Sequence, residues 1–256
     1  MIEASTEPQM ATVDSLSAHE LLKQATRLAS TSDLSEIGRL LQDKHVRFAE
    51  SLSPGSLERL DAEALQGLLG LVFSVRSRRR ALLREQGASA LRDSIARLLW
   101  GDDAYGVRFS RFVSEQQTLD RRRARALASE LLHFTDPSRY WLWTHWIWDP
   151  EAESGVLRLL TDEEGAPSRS GADEGLLYQL VCTRSLSVYL DGRKSGYIQL
   201  AEGSLGADAF FAVVYSVYML TLYRLKLSEN FDRFLPRLPE LARRLLGVQH
   251  LPNERA

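Results

Sequence analysis

The sequence predicts a mostly α-helical protein: a multi-helix globular domain with a central tryptophan-rich segment and at most a small β element around residues 155–200. Three observations lead there. Apolar residues recur three and four apart through the first half, cap-forming residues precede these stretches while glycines follow them, and strand-like alternation is scarce.

The helices can be justified in order. Ser17 and Glu20 have the spacing of a capping box, in which the hydroxyl accepts from the third amide and the carboxylate reaches back to the cap. "AHELLKQATRLAS" follows as a first helix. A second begins near Asp33, with Leu34, Ile37, Leu41 and Phe48 in helical register, and "SLSPGS" breaks it. Asp61 caps a long third helix over 62–86 that ends at Gly87. Ser89 caps the next, which runs through Trp100 and closes at "GDD"; two more occupy 104–117 and 120–134.

Beyond residue 150 the pattern is weaker. "GVLRLLT" reads as a short strand, "DEEGAPSRSGADEG" as a loop, and "LLYQLVCTRSLSVYL" as either two strands or a helix capped by Asp173. The helix is favoured because Leu177, Leu180 and Val181 recur at three and four. "DGRKSGYIQL" reads as a turn with a short extended piece. Asp208 then opens an apolar helix over 208–226, with Phe211, Tyr215, Tyr218 and Leu222 as one stripe. Two short helices follow, divided at Pro236 and Pro239 and stopped by Gly247.

With 256 residues, 44% hydrophobic and 26% charged, the chain has globular composition, and disorder is excluded as its overall state. Residues 1–14 read as a flexible polar tail without secretory character. A helical region over 15–135 and a tryptophan-rich plus helical region over 136–256 are expected to pack as one unit. A single cysteine, Cys182, excludes an internal disulfide and suits a reducing cytoplasm. The longest uncharged apolar run, residues 209–223, spans roughly 22 Å as a helix, short of a ~30 Å hydrocarbon core, so no membrane is expected as a partner.

The net charge of −2 hides a division. Residues 76–125 hold thirteen Arg against six acids, and residues 136–206 hold six basic residues against eleven acids. The basic part therefore faces an acidic partner, nucleic acid, or the chain's own acidic half. Two runs carry it: Arg76, Arg78, Arg79, Arg80 and Arg84, and then Arg121, Arg122, Arg123 and Arg125.

Four of the five tryptophans fall within eight positions, in "YWLWTHWIW". Asp136-Pro137 and Asp149-Pro150 flank this segment, each with the form of a helix start. Apolar surface all round makes the segment central. Four indole N–H donors so close together need several acceptors or a polar cleft. The first reading is an aromatic core clamp. The second is a ligand or partner pocket formed by His133, Asp136, Arg139, Trp141, Trp143, His145, Trp146 and Trp148.

Glu130 and His133 form one Glu-x-x-His pair, half of what a carboxylate-bridged metal site requires; the other half is missing, and no metal or other cofactor is expected. Zinc-spaced cysteines, phosphate-cradling glycine loops and a nucleophile elbow do not occur. Without a complete catalytic constellation, the charge division points to a non-enzymatic accessory or adaptor protein. It would bind another protein through its basic helices and an aromatic cleft. The alternatives are a nucleic-acid-binding protein using the two arginine runs, and an enzyme or cofactor carrier centred on the Trp/His segment.

Overall fold

A computed structural model describes residues 15–161, 173–194, 196, 203–226 and 235–251. Among them are twelve helices and no strand: α1 (Ser15–Leu28), α2 (Thr31–Ser51), α3 (Pro54–Arg59), α4 (Ala62–Leu69), α5 (Arg79–Gln86), α6 (Ala88–Trp100), α7 (Tyr105–Glu115), α8 (Arg121–Thr135), α9 (Val156–Leu160), α10 (Glu174–Lys194), α11 (Gly203–Lys226) and α12 (Leu238–Leu245). The protein is mostly α-helical, as expected. An isolated antiparallel bridge between Asp149 and Ser154 is the only β pairing among the described residues. The tail at 1–14, most of the loop expected from 162, the extended piece at 197–200 and the helix expected at 230–234 lie outside those residues.

Local chemistry explains the boundaries that match expectation. Asp61 accepts from the Ala64 amide at 2.7 Å, and Asp173 accepts from Leu176 N at 2.8 Å to start α10. Gly87 and Gly247 end helices with φ of 84° and 71°. Other boundaries differ. The capping box of α2 uses Ser30 with Asp33, so Asp33 is the third helical residue rather than the first. α1 begins at Ser15, which puts Ser17 inside it, and "SLSPGS" carries the short helix α3. The long helix expected over 62–86 is two helices, because residues 70–78 bond back mainly three residues rather than four: Leu71 N to Leu68 O, Val72 N to Leu69 O, Val75 N to Val72 O. Gly87, not Ser89, precedes α6. "GVLRLLT" forms α9 instead of a strand, and α10 absorbs "DGRK".

One hydrophobic cluster runs from Ala25 to Leu251 and draws on both halves of the chain. Within it α2 packs against α8, α11 and α12, while α7 packs against α6, α8 and α10. The α7–α10 contact depends on glycine: a Cβ on Gly175 would lie 2.2 Å from the Gly106 carbonyl oxygen, so only a bare backbone allows this approach. α11 is 24 residues long, long and apolar enough to cross a membrane. Length therefore does not separate a core helix from a membrane span here, contrary to the sequence argument. Burial is informative instead, since 72% of the apolar window is packed inside the protein.

Candidate functional site

The tryptophan segment is an irregular strap across the core. Asp136 and Asp149 do not start helices. Asp136 accepts from the Ser138 amide at 3.2 Å, and Asp149 from the Glu151 and Ala152 amides at 3.0 and 3.3 Å, so each carboxylate closes a single turn. The strap is then pinned by backbone bonds from Val156 N to Trp146 O and Leu157 N to Ile147 O. Gly155, at φ 123°, permits this return, because a Cβ there would lie 2.5 Å from Ile147 O.

The strap's rings belong to the core. Trp143, Trp146 and Trp148 are buried. Tyr178, Phe109, Trp143 and Trp148 stack in a column with successive centroids 4.3, 5.8 and 5.9 Å apart, and the Arg125 guanidinium lies 5.5 Å from the Trp143 ring. The Trp143 indole donates to Trp148 O at 2.9 Å, whereas Trp146 Nε1 is buried without a partner. Half-buried Trp141 tilts on Tyr189 at 5.8 Å. The depression beside Trp143 and Trp148 holds only about 10 Å³. The aromatic cleft expected from the sequence is thus a filled core, because each indole already has rings packed on it.

The remaining members of that proposed pocket do not converge. His133 is fully buried, Asp136 closes its turn, and Arg139 is exposed with its guanidinium 5.4 Å from the Tyr140 ring. Glu130 and His133, the candidate metal pair, have other partners. Glu130 accepts from Lys44 Nζ at 2.7 Å; His133 Nε2 lies 2.6 Å from Asp208 and Nδ1 lies 2.8 Å from Tyr140 O. Both ring nitrogens of His133 are engaged and one Glu130 oxygen is held by Lys44, so only the second Glu130 oxygen is without a partner. Among the described residues no three His, Cys, Asp or Glu side chains converge as a metal site.

The result is a buried polar network that sequence reasoning missed. Lys44, on α2, also donates to Leu246 O at 2.8 Å and sits 4.0 Å from the Phe134 ring centre. Burial pushes the Lys44 pKa down and the Glu130 pKa up, each opposed by the other's charge. Burial alone would lower His133 as well, but the charge and hydrogen bond of Asp208 outweigh it and the imidazole is raised. Asp208 was expected as a helix cap, yet it lies inside α11, which begins at Gly203. Signals were present. Lys44 fills the gap in the apolar series Ile37, Leu41, Phe48, and Asp208 interrupts an apolar run.

One member of the expected pocket does reach open space. His145 lines a cleft of about 770 Å³ together with Phe73, Ser74, Arg76, Ser77, Arg121, Arg122 and Arg123, with Asp120 and Glu151 also on its walls. The α4–α5 connector and the N-terminal turn of α8 therefore bring Arg76 of the first run beside Arg121, Arg122 and Arg123 of the second. Burial and then Arg122 hold the His145 pKa below its usual value, as expected beside excess positive charge.

The chain's own carboxylates, Asp120 and three from the acidic half, answer every arginine of only one of the runs. Arg121 pairs with Glu174 at 3.3 Å, Arg122 with Asp149, Arg123 with Asp120, and Arg125 with Glu174 at 2.6 Å and Glu151 at 3.2 Å. In the other run Arg84 pairs with its neighbour Glu85, and Arg79 donates to the Arg76 carbonyl. Compared with protein-family models, curated proteins and solved structures, the chain matches none of them.

Proposed function

We propose that this protein is a non-enzymatic accessory or adaptor protein that receives an acidic segment of a partner protein in the arginine-lined cleft. One observation carries the reading: guanidinium groups from two separate segments border a single open cleft of about 770 Å³, large enough for several side chains. The partner contact of this reading differs from the sequence expectation in one respect, since the basic segments supply the surface and the tryptophans supply the scaffold behind it. A cytoplasmic setting goes with it, because a single cysteine admits no internal disulfide.

Nucleic-acid binding is the second reading, and it uses the same arginines. The α8 run weighs against it, because Arg121, Arg122, Arg123 and Arg125 are engaged by the chain's own carboxylates. A continuous phosphate backbone would have to displace these partners and pass Asp120 and Glu151 on the same walls.

Fluorescence anisotropy with a labelled acidic octapeptide and a lysine-rich control tests the proposal. The acidic peptide should bind at low salt, release as salt rises, and bind more weakly to Arg121→Ala. Equal binding of both peptides, or none by either, refutes it.

A further inference from the structure

We propose that the connector between α4 and α5 forms a phosphoryl-binding seat, so that the partner segment entering the cleft is a phosphorylated one. This rests on the acidic-partner reading and adds the identity of the anion. The argument starts from the unequal compensation of the two basic runs. Every arginine of the α8 run has a carboxylate, whereas among the described residues Arg76, Arg78, Arg79, Arg80 and Arg244 make no ion pair. Arg76 is at the centre of this group. Burial first, then the charges of Arg244 and Arg79, hold its pKa below the ordinary guanidinium value, and no carboxylate offsets them.

Two donors at this end of the cleft are idle. Arg76 Nη1 and Ser74 Oγ are each buried without a hydrogen-bond partner, and both residues line the cleft. Arg76 is held in place by the Phe73 ring, 5.1 Å from its guanidinium carbon. Arg79 is tied to the Arg76 carbonyl, which brings a second guanidinium alongside. A buried donor without an acceptor is costly, and a fixed guanidinium fork matches the oxygens of a tetrahedral or planar anion.

Charge selects between those anions. A carboxylate brings one negative charge and two oxygens, which leaves most of the Arg76, Arg79 and Arg244 cluster uncompensated. A phosphate monoester carries about −1.5 to −2 at neutral pH and presents three acceptor oxygens. It therefore answers more of the cluster while also offering acceptors to Arg76 Nη1 and Ser74 Oγ. A polynucleotide spreads single charges along a track, whereas of the uncompensated arginines only Arg76 lines this cleft, which Asp120 and Glu151 also line.

The test compares an acidic octapeptide carrying one phosphoserine with the same peptide carrying glutamate in its place, by anisotropy at low salt. Inorganic pyrophosphate and a short single strand of DNA serve as further probes. The phosphopeptide should bind about tenfold more tightly than its glutamate counterpart. Arg76→Ala should weaken both peptides, the phosphopeptide by more, so that the difference between them closes. Arg244→Ala, at an exposed position, should narrow it without any risk to folding. Equal affinity for the two peptides overturns the phosphoryl seat and leaves the acidic-partner reading standing. Binding of neither peptide overturns both. Pyrophosphate binding as tightly as the phosphopeptide overturns the assignment to a partner segment, and tighter binding of DNA overturns it in favour of a polynucleotide.

Discussion

Replacing Lys44 with Met should be among the most damaging single changes in this protein. The Lys44 ammonium is fully buried, and the Glu130 side chain is 3% exposed. Their 2.7 Å contact is accompanied by a bond from Lys44 to the Leu246 carbonyl. Met fills much the same volume, so packing is nearly conserved and the loss is electrostatic. Two groups are stranded together: the Glu130 carboxylate, whose other oxygen already has no partner, and the Leu246 carbonyl. Breaking a buried pair in this way costs about 3–5 kcal/mol, a large share of the ~5–15 kcal/mol that holds a typical domain. For a chain of this size that corresponds to a fall in Tm of about 6–20 °C. The penalty should shrink as pH falls, since Glu130 is already raised and escapes the cost by protonating. Urea denaturation followed by circular dichroism at pH 5 and pH 8 measures both effects. The double variant Lys44→Met/Glu130→Leu removes both charges and should recover most of the loss. A single-variant cost below about 1 kcal/mol, or a double variant as unstable as the sum of the singles, would refute the reasoning.

Two further predictions concern the same core. Trp143→Phe strands the Trp148 carbonyl, whereas Trp146→Phe removes a donor that has no acceptor; the first should therefore destabilise by about 1–2 kcal/mol more than the second, and equal costs in thermal melts would contradict the hydrogen-bond assignment. The raised pKa of His133 means that the folded state holds a proton the unfolded state releases above about 6.5. Its contribution is complete below that value and is lost as pH rises through the folded pKa. Nitrogen NMR of the imidazole across a pH series should show the second ring proton lost at higher pH in the folded protein than in the unfolded chain, and loss at lower pH would contradict the Asp208 contact as the dominant influence.

Much of the architecture was legible from residue spacing. Helix period, Asp61, Asp173, Gly87 and Gly247 act through bonds spanning three or four residues, so they are written locally. The same locality explains the errors around the strap. An Asp-Pro pair offers its carboxylate to the next amides whether one turn follows or four, and nothing nearby distinguishes the cases. The break at 70–78 was equally hidden, since residues there keep helical spacing while the backbone turns more tightly.

Taken alone, the sequence determined a helical protein with a buried tryptophan strap and an unequal division of charge. Tertiary structure alone decided which charges meet. Lys44 and Glu130 are 86 residues apart, His133 and Asp208 are 75 apart, and Arg76 reaches the cleft of Arg121–Arg123 only because α4 and α5 are separate helices. Electrostatic partnership depends on distance and burial in space, and neither has a period along the chain.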